Sequence, residues 1–116
     1  MSREVVVLSA VRSAIGAFNG SLSSMEPSEL GGIVMKEAVT RSGVNPQDIN
    51  YVTVGNTIPT DSRYAYVARV ASIQAGLPME SVAMSLNRLC SSGLPPFLHC
   101  FSHVIAPLSA CMLGSL

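Results

Sequence analysis

The chain has 116 residues, with seven basic and seven acidic side chains that cancel to a formal charge of zero. That is the length of one domain, and a hydrophobic content of 48% favours a globular chain over a disordered one. The neutral balance removes any electrostatic reason to expect nucleic acid as a partner. The three cysteines are odd in number and lack C-x-x-C spacing. They suggest neither a disulfide framework nor a metal site, so a reducing compartment is the simpler expectation. Met1–Glu4 and the apolar run after it are too short and too acidic for a targeting peptide. Gly114-Ser115-Leu116 is not a peroxisomal address, and the expected location is the cytoplasm.

Val5-Val6-Val7-Leu8 predicts a strand buried on both faces, as in a parallel sheet. Residues 12–20 read as a loop, broken at Gly16, Asn19 and Gly20. Pro27 suits a first helical turn. Leu30, Ile33, Val34 and Ala38 then recur at helical spacing, and Ser42-Gly43 closes the helix. Glu26 and Glu29 near its start and Arg41 near its end complement the helix dipole. Tyr51–Val54 predicts a second strand. A second helix runs from Asp61 or Ser62 to Ala75, with Val67, Val70, Ala71 and Gln74 on its inner face, capped by Gly76 and stopped at Pro78. Val82, Met84 and Leu86 alternate with Ala83 and Ser85 in a third strand ending near Asn87. Met25, Met35, Met79 and Met84 read as core filler. The order β-α-β-α-β predicts an α/β fold with right-handed crossovers and a parallel-rich sheet.

The third strand is followed by Asn87-Arg88-Leu89-Cys90-Ser91-Ser92-Gly93-Leu94. A reactive residue at the carboxyl end of a parallel strand sits where ligands bind such sheets. A helix starting there offers N–H groups that stabilise a thiolate and can receive the oxyanion formed on a thioester carbonyl. Taken alone, a cysteine in an apolar chain is more often a small buried hydrophobe.

This octapeptide resembles the active-site segment of the thiolases, usually Asn-x-x-Cys-Gly-Ser-Gly-Leu. Residues 7–20 are similar to that family's opening strand and loop. Glu29-Leu30-Gly31, Val52-Thr53-Val54-Gly55-Asn56, Ala68-Arg69 and Ala75-Gly76-Leu77-Pro78 match it in order and spacing. Several linked motifs in register over residues 3–94 are specific, and the likeness is greatest to the bacterial acetyl-CoA acetyltransferase and β-ketothiolase type. The resemblance implies a partial thiolase fold, the first β-α-β-α-β of the N-terminal half. It also implies acyl transfer between coenzyme A thioesters, as substrates and not as bound cofactors, in an enzyme that is a homo-oligomer at full length. Cys90 is then the acyl-accepting nucleophile, and its backbone N–H contributes to an oxyanion hole. No metal is implied. Ser91 departs from the family's glycine, a change that would cost activity if the site required positive φ there or a close approach of the acyl group.

In the family, a histidine and a second cysteine from the C-terminal half supply the proton transfers. Neither the Gly-His-Pro nor the Cys-x-Gly motif occurs in this chain, nor does the coenzyme A-binding loop. His99, His103, Cys100 and Cys111 read as incidental. Because an unassisted thiol is only a few per cent ionised at neutral pH, the chain alone is expected to be inactive. Residues 95–116 carry no charge and do not resemble a thiolase segment. Pro95 and Pro96 disfavour helix at Leu94 and Pro95. The chain therefore divides into a partial thiolase domain, 1–94, and a divergent tail, 95–116, as a frame change or misjoined exon would produce. Three alternatives remain. One is a ketoacyl-synthase relative, another a non-catalytic dimerisation fragment using residues 81–89. The third is a membrane anchor at 94–116, which three prolines and two histidines make a poor hydrocarbon segment.

Overall fold

In the computed structural model, which describes residues 4–94, two helices pack beside a two-stranded parallel sheet. Helix α1 spans Pro27–Ser42 and is followed by strand β1, Tyr51–Gly55. A 3-10 turn at Ser62–Tyr66 leads into helix α2, Val67–Gln74, and strand β2 is Val82–Leu86. Strands β1 and β2 pair from Tyr51 opposite Val82 to Gly55 opposite Leu86. The ladder is extended at both ends, by Val82 N donating to Asn50 O at 2.9 Å and Asn56 N donating to Leu86 O at 2.9 Å.

Both helices end where the sequence stops them. Gly43 takes φ 70° and Gly76 φ 80°, left-handed conformations that glycine adopts without a Cβ penalty. Behind α2, Gly76 N donates to Ile73 O and Leu77 N to Ser72 O, both at 3.0 Å, so two terminal carbonyls are satisfied and Leu77 is turned into the core. At the other end of α2, Ser85 of β2 accepts from Ala68 N at 3.2 Å, supplying an acceptor to the first helical turn. The small residues of β2 therefore face α2, with Ala83 packed on the core.

That core comprises Met35, Ile49, Val52, Val54, Val67, Ala68, Ala71 and Leu77. Residues 52–55 of β1 are buried on both faces, as expected of a central parallel strand. The predicted inner faces hold in part: Val67 and Ala71 of α2 are buried, and Val34 and Ala38 of α1 pack against the core. In α1 the buried residues are Ser28, Gly32 and Met35, whereas Ile33 is 52% exposed. A Cβ at Gly32 would lie 3.2 Å from Gln74 Cβ, so small residues set the α1–α2 contact and the larger apolar side chains border it. In α2, Val67, Ala68, Ala71 and Ser72 are buried and Gln74 is exposed.

Val5–Leu8 does not form the predicted strand. Its side chains are exposed and it pairs with neither β1 nor β2. A strand buried on both faces needs a neighbour along its edge and a layer over each side, and among the described residues this segment has neither. It runs to α1, where Ser9 Oγ donates to Ala38 O at 2.7 Å. Glu29 in the first turn of α1 and Arg41 in its last stand where they complement the helix dipole. Arg41 pairs with Glu37 one turn earlier, at 2.6 Å. Glu26 makes no side-chain cap to α1 and instead accepts from Arg63, at 3.3 Å. Arg63 also meets Asp61 at 3.1 Å. Asp61 caps the 3-10 turn by accepting from Arg63 N at 2.9 Å. These bonds hold its carboxyl below the ordinary 3.8, led by the backbone N–H of Arg63 and then its guanidinium.

Met35→Ala should lower the unfolding free energy by about 2–5 kcal/mol, whereas Ile33→Ala on the same helix should change it by at most about 0.5 kcal/mol; urea denaturation reads both. Because Asp61 titrates lower when folded, its charge stabilises the fold above pH 3.8 and that contribution is lost as pH falls through the depressed value. Melts of the parent and Asp61→Asn should differ at neutral pH and converge in acid.

Candidate active site

The carboxyl ends of β1 and β2 lie side by side, and the residues leaving each strand hold one another. From β1 come Asn56 and Thr57; from β2 comes the turn 87–93, which carries Cys90. Cys90 is exposed and unbridged. Asn87 opens the turn with its side chain. Its Oδ1 accepts from Leu89 N at 3.0 Å and its Nδ2 donates to Thr57 O at 2.8 Å. Ser92 closes the turn. Its Oγ accepts from Arg88 N at 2.8 Å and donates to Leu89 O at 2.6 Å. The amides of Ser91, Ser92 and Leu94 are committed to Arg88 O, Leu89 O and Ser91 O at 3.0–3.2 Å.

Leu89, immediately before the cysteine, takes φ 52°. This left-handed conformation costs a residue with a Cβ roughly 1–2 kcal/mol. Ser91 needs no such backbone, since Asn19 and Leu89 are the non-glycine residues with positive φ among those described. Serine in place of the family's glycine is therefore accommodated conformationally. Its Oγ donates to Arg88 O at 3.0 Å. Leu94 is helical, with its amide on Ser91 O, so Pro95 does not hold it extended as predicted; a bond that closes the turn outweighs the local preference. The helix expected to follow, together with His99, Cys100, His103 and Cys111, lies outside the described residues.

Gly55 is the contact that lets the two loops approach. A Cβ there would fall on the Ser92 carbonyl, 2.7 Å from its carbon, so only glycine fits. Ser92 is buried at this point, 1% exposed. Among the described residues no three His, Cys, Asp or Glu side chains group as metal ligands. No described helix is long and apolar enough to cross a membrane.

A cysteine presented beyond a parallel strand, in a turn braced from the neighbouring strand, fits a nucleophile site of α/β type. The match to known proteins identifies the class. The model of the thiolase N-terminal domain matches residues 5–114, and the chain belongs to the thiolase family. Over 94 residues it is 48% identical to the β-ketothiolase BktB of Cupriavidus necator, a match covering 81% of this chain and 24% of that protein. It is 43% identical over 91 residues to an acetyl-CoA acetyltransferase of the same organism, covering 78% and 23%. Among solved structures, the acetyl-CoA acetyltransferase of Bacillus anthracis superposes with a TM-score of 0.85 at 34% identity, covering 95% of this chain and 28% of that one. The Acat5 thiolase of Ascaris suum, solved with coenzyme A, superposes with a TM-score of 0.75 at 34% identity over 79% and 24%. The chain thus spans about a quarter of the length of the relatives it matches.

Gly55→Ala should lower the unfolding free energy by about 1–3 kcal/mol through the forced separation of the two loops. It should also change the alkylation rate of Cys90, measured by peptide-resolved mass spectrometry.

Proposed function

We propose that Cys90 is the acyl-accepting nucleophile of a thiolase-type transferase acting on coenzyme A thioesters. The observation that carries this reading is an exposed cysteine in the turn beyond β2, within the segment that resembles the family's active-site motif. Its thiolate attacks the acyl-CoA carbonyl, a sulfur–carbon bond forms, and coenzyme A leaves as its thiolate. An enolate formed from a second acetyl-CoA then attacks the acyl-enzyme, gives a 3-ketoacyl-CoA and returns the cysteine sulfur. Splitting the exchange into two displacements lowers each barrier. The oxyanion at each tetrahedral stage needs an amide donor. The family resemblance assigns that role to the Cys90 N–H by its position.

The histidine and second cysteine that move the protons are not in these 116 residues, so the chain alone carries the nucleophile without its base. The same reading takes the full-length enzyme as a cytoplasmic homo-oligomer with no metal and no permanently bound cofactor.

The test is a full-length acetyl-CoA acetyltransferase in which residues 4–94 of this chain replace the equivalent segment. After incubation with acetyl-CoA and an acid quench, the peptide containing Cys90 should gain one acetyl group, and Cys90→Ser should abolish the gain. A folded chimera that turns over without acylating Cys90 would overturn the assignment. The 116-residue chain by itself should show acetoacetyl-CoA thiolysis at background.

A further inference from the structure

We infer that Thr57 is a positioning residue for Cys90, its hydroxyl holding the left-handed Leu89 that aims the cysteine's turn. The inference rests on the reading of Cys90 as the nucleophile. Leu89 is 69% exposed, so packing does not fix its unfavourable backbone. Hydrogen bonds must do so. Its amide is held by Asn87 Oδ1 at 3.0 Å. Its carbonyl lies 3.0 Å from Ser92 N, 2.6 Å from Ser92 Oγ and 3.1 Å from Thr57 Oγ1. Thr57 Oγ1 is also 3.4 Å from Ser92 Oγ, placing its proton within reach of either acceptor.

Asn87 and Ser92 belong to the turn they stabilise, and a turn held only by its own residues can swing as a unit about the end of β2. Thr57 is different because it leaves the neighbouring strand. Its carbonyl receives Asn87 Nδ2 at 2.8 Å while its hydroxyl reaches Leu89. One residue thus ties both sides of the turn that carries Cys90 to the chain leaving β1. Position is what such a brace controls, and small displacements of a reacting group alter rate strongly.

The test measures peptide-resolved alkylation of Cys90 by iodoacetamide in the 116-residue chain, across a range of pH, with a thermal melt of each variant. Thr57→Val keeps the β-branched shape and removes the hydroxyl; Thr57→Ser keeps the hydroxyl. Thr57→Val should slow Cys90 alkylation about threefold or more, the effect of one hydrogen bond, and Thr57→Ser should match the parent. Leu89→Gly removes the conformational demand at an exposed site while keeping every main-chain bond of the turn, and should melt no lower than the parent and alkylate at the parent rate. Parent-like rates and pH profiles in Thr57→Val overturn the inference, as does a slowing that serine fails to restore. If Thr57→Val does not fold, Thr57→Ala, which also removes the hydroxyl, decides: slowed alkylation supports the brace and a parent rate overturns it. Acylation in the chimera is a separate readout. If Cys90 is never acylated while the Thr57 pattern holds, the nucleophile reading falls and the brace stands.

Discussion

Everything near Cys90 depends on the parallel pairing of two five-residue strands. Tyr51–Gly55 and Val82–Leu86 run side by side and finish level, so the loops leaving them emerge together, and at Gly55 they touch. The absence of a single Cβ lets the Ser92 carbonyl rest against β1. That contact puts Thr57 within reach of Leu89. Shift the register by one residue and every side chain on β2 changes face. Ser85 would then no longer meet the start of α2, and the turn would lose its neighbour.

The turn itself shows how a short polar segment maintains strained backbone. Leu89 is exposed and left-handed, and no apolar packing rewards it for being so. Its two peptide groups are instead saturated by Asn87, Ser92 and Thr57, so relaxing φ would break several bonds at once. Such over-determination is characteristic of functional sites. Here it lies one residue before the cysteine that the family resemblance singles out.

Much of this was legible in the sequence for local reasons. Pro27 and Gly43 bracket α1 because each suits one end of a helix, and Gly76 stops α2 for the same reason. Tyr51–Val54 and Val82–Leu86 are strands where β-branched runs and alternation place them. The end of the third strand near Asn87 was readable too, though the bond by which its side chain opens the turn was not. Features set by distant partners were not readable. Val5–Leu8 has a strand's composition, but composition cannot supply an edge to pair with. On α1, Val34 and Ala38 meet the core as their spacing implies, whereas Ile33 does not, because the approach to the neighbouring helix is made at Gly32, a residue without an apolar side chain to signal it. Thr57 gave no signal, being 32 residues from Leu89 and meaningful only once the strands are paired.

That separation bears on how the molecule assembles. Partners across the β1–β2 ladder lie about thirty residues apart in the chain, so their meeting must close a loop containing all of α2 and its flanking turns, at an entropic cost growing with loop length. Helix α2 can form from neighbours in sequence, whereas the ladder cannot. Only after it closes can Thr57 meet Leu89. During refolding, therefore, the thiol is present before the surroundings that orient it, and its reactivity becomes a property of the finished fold instead of the unfolded chain.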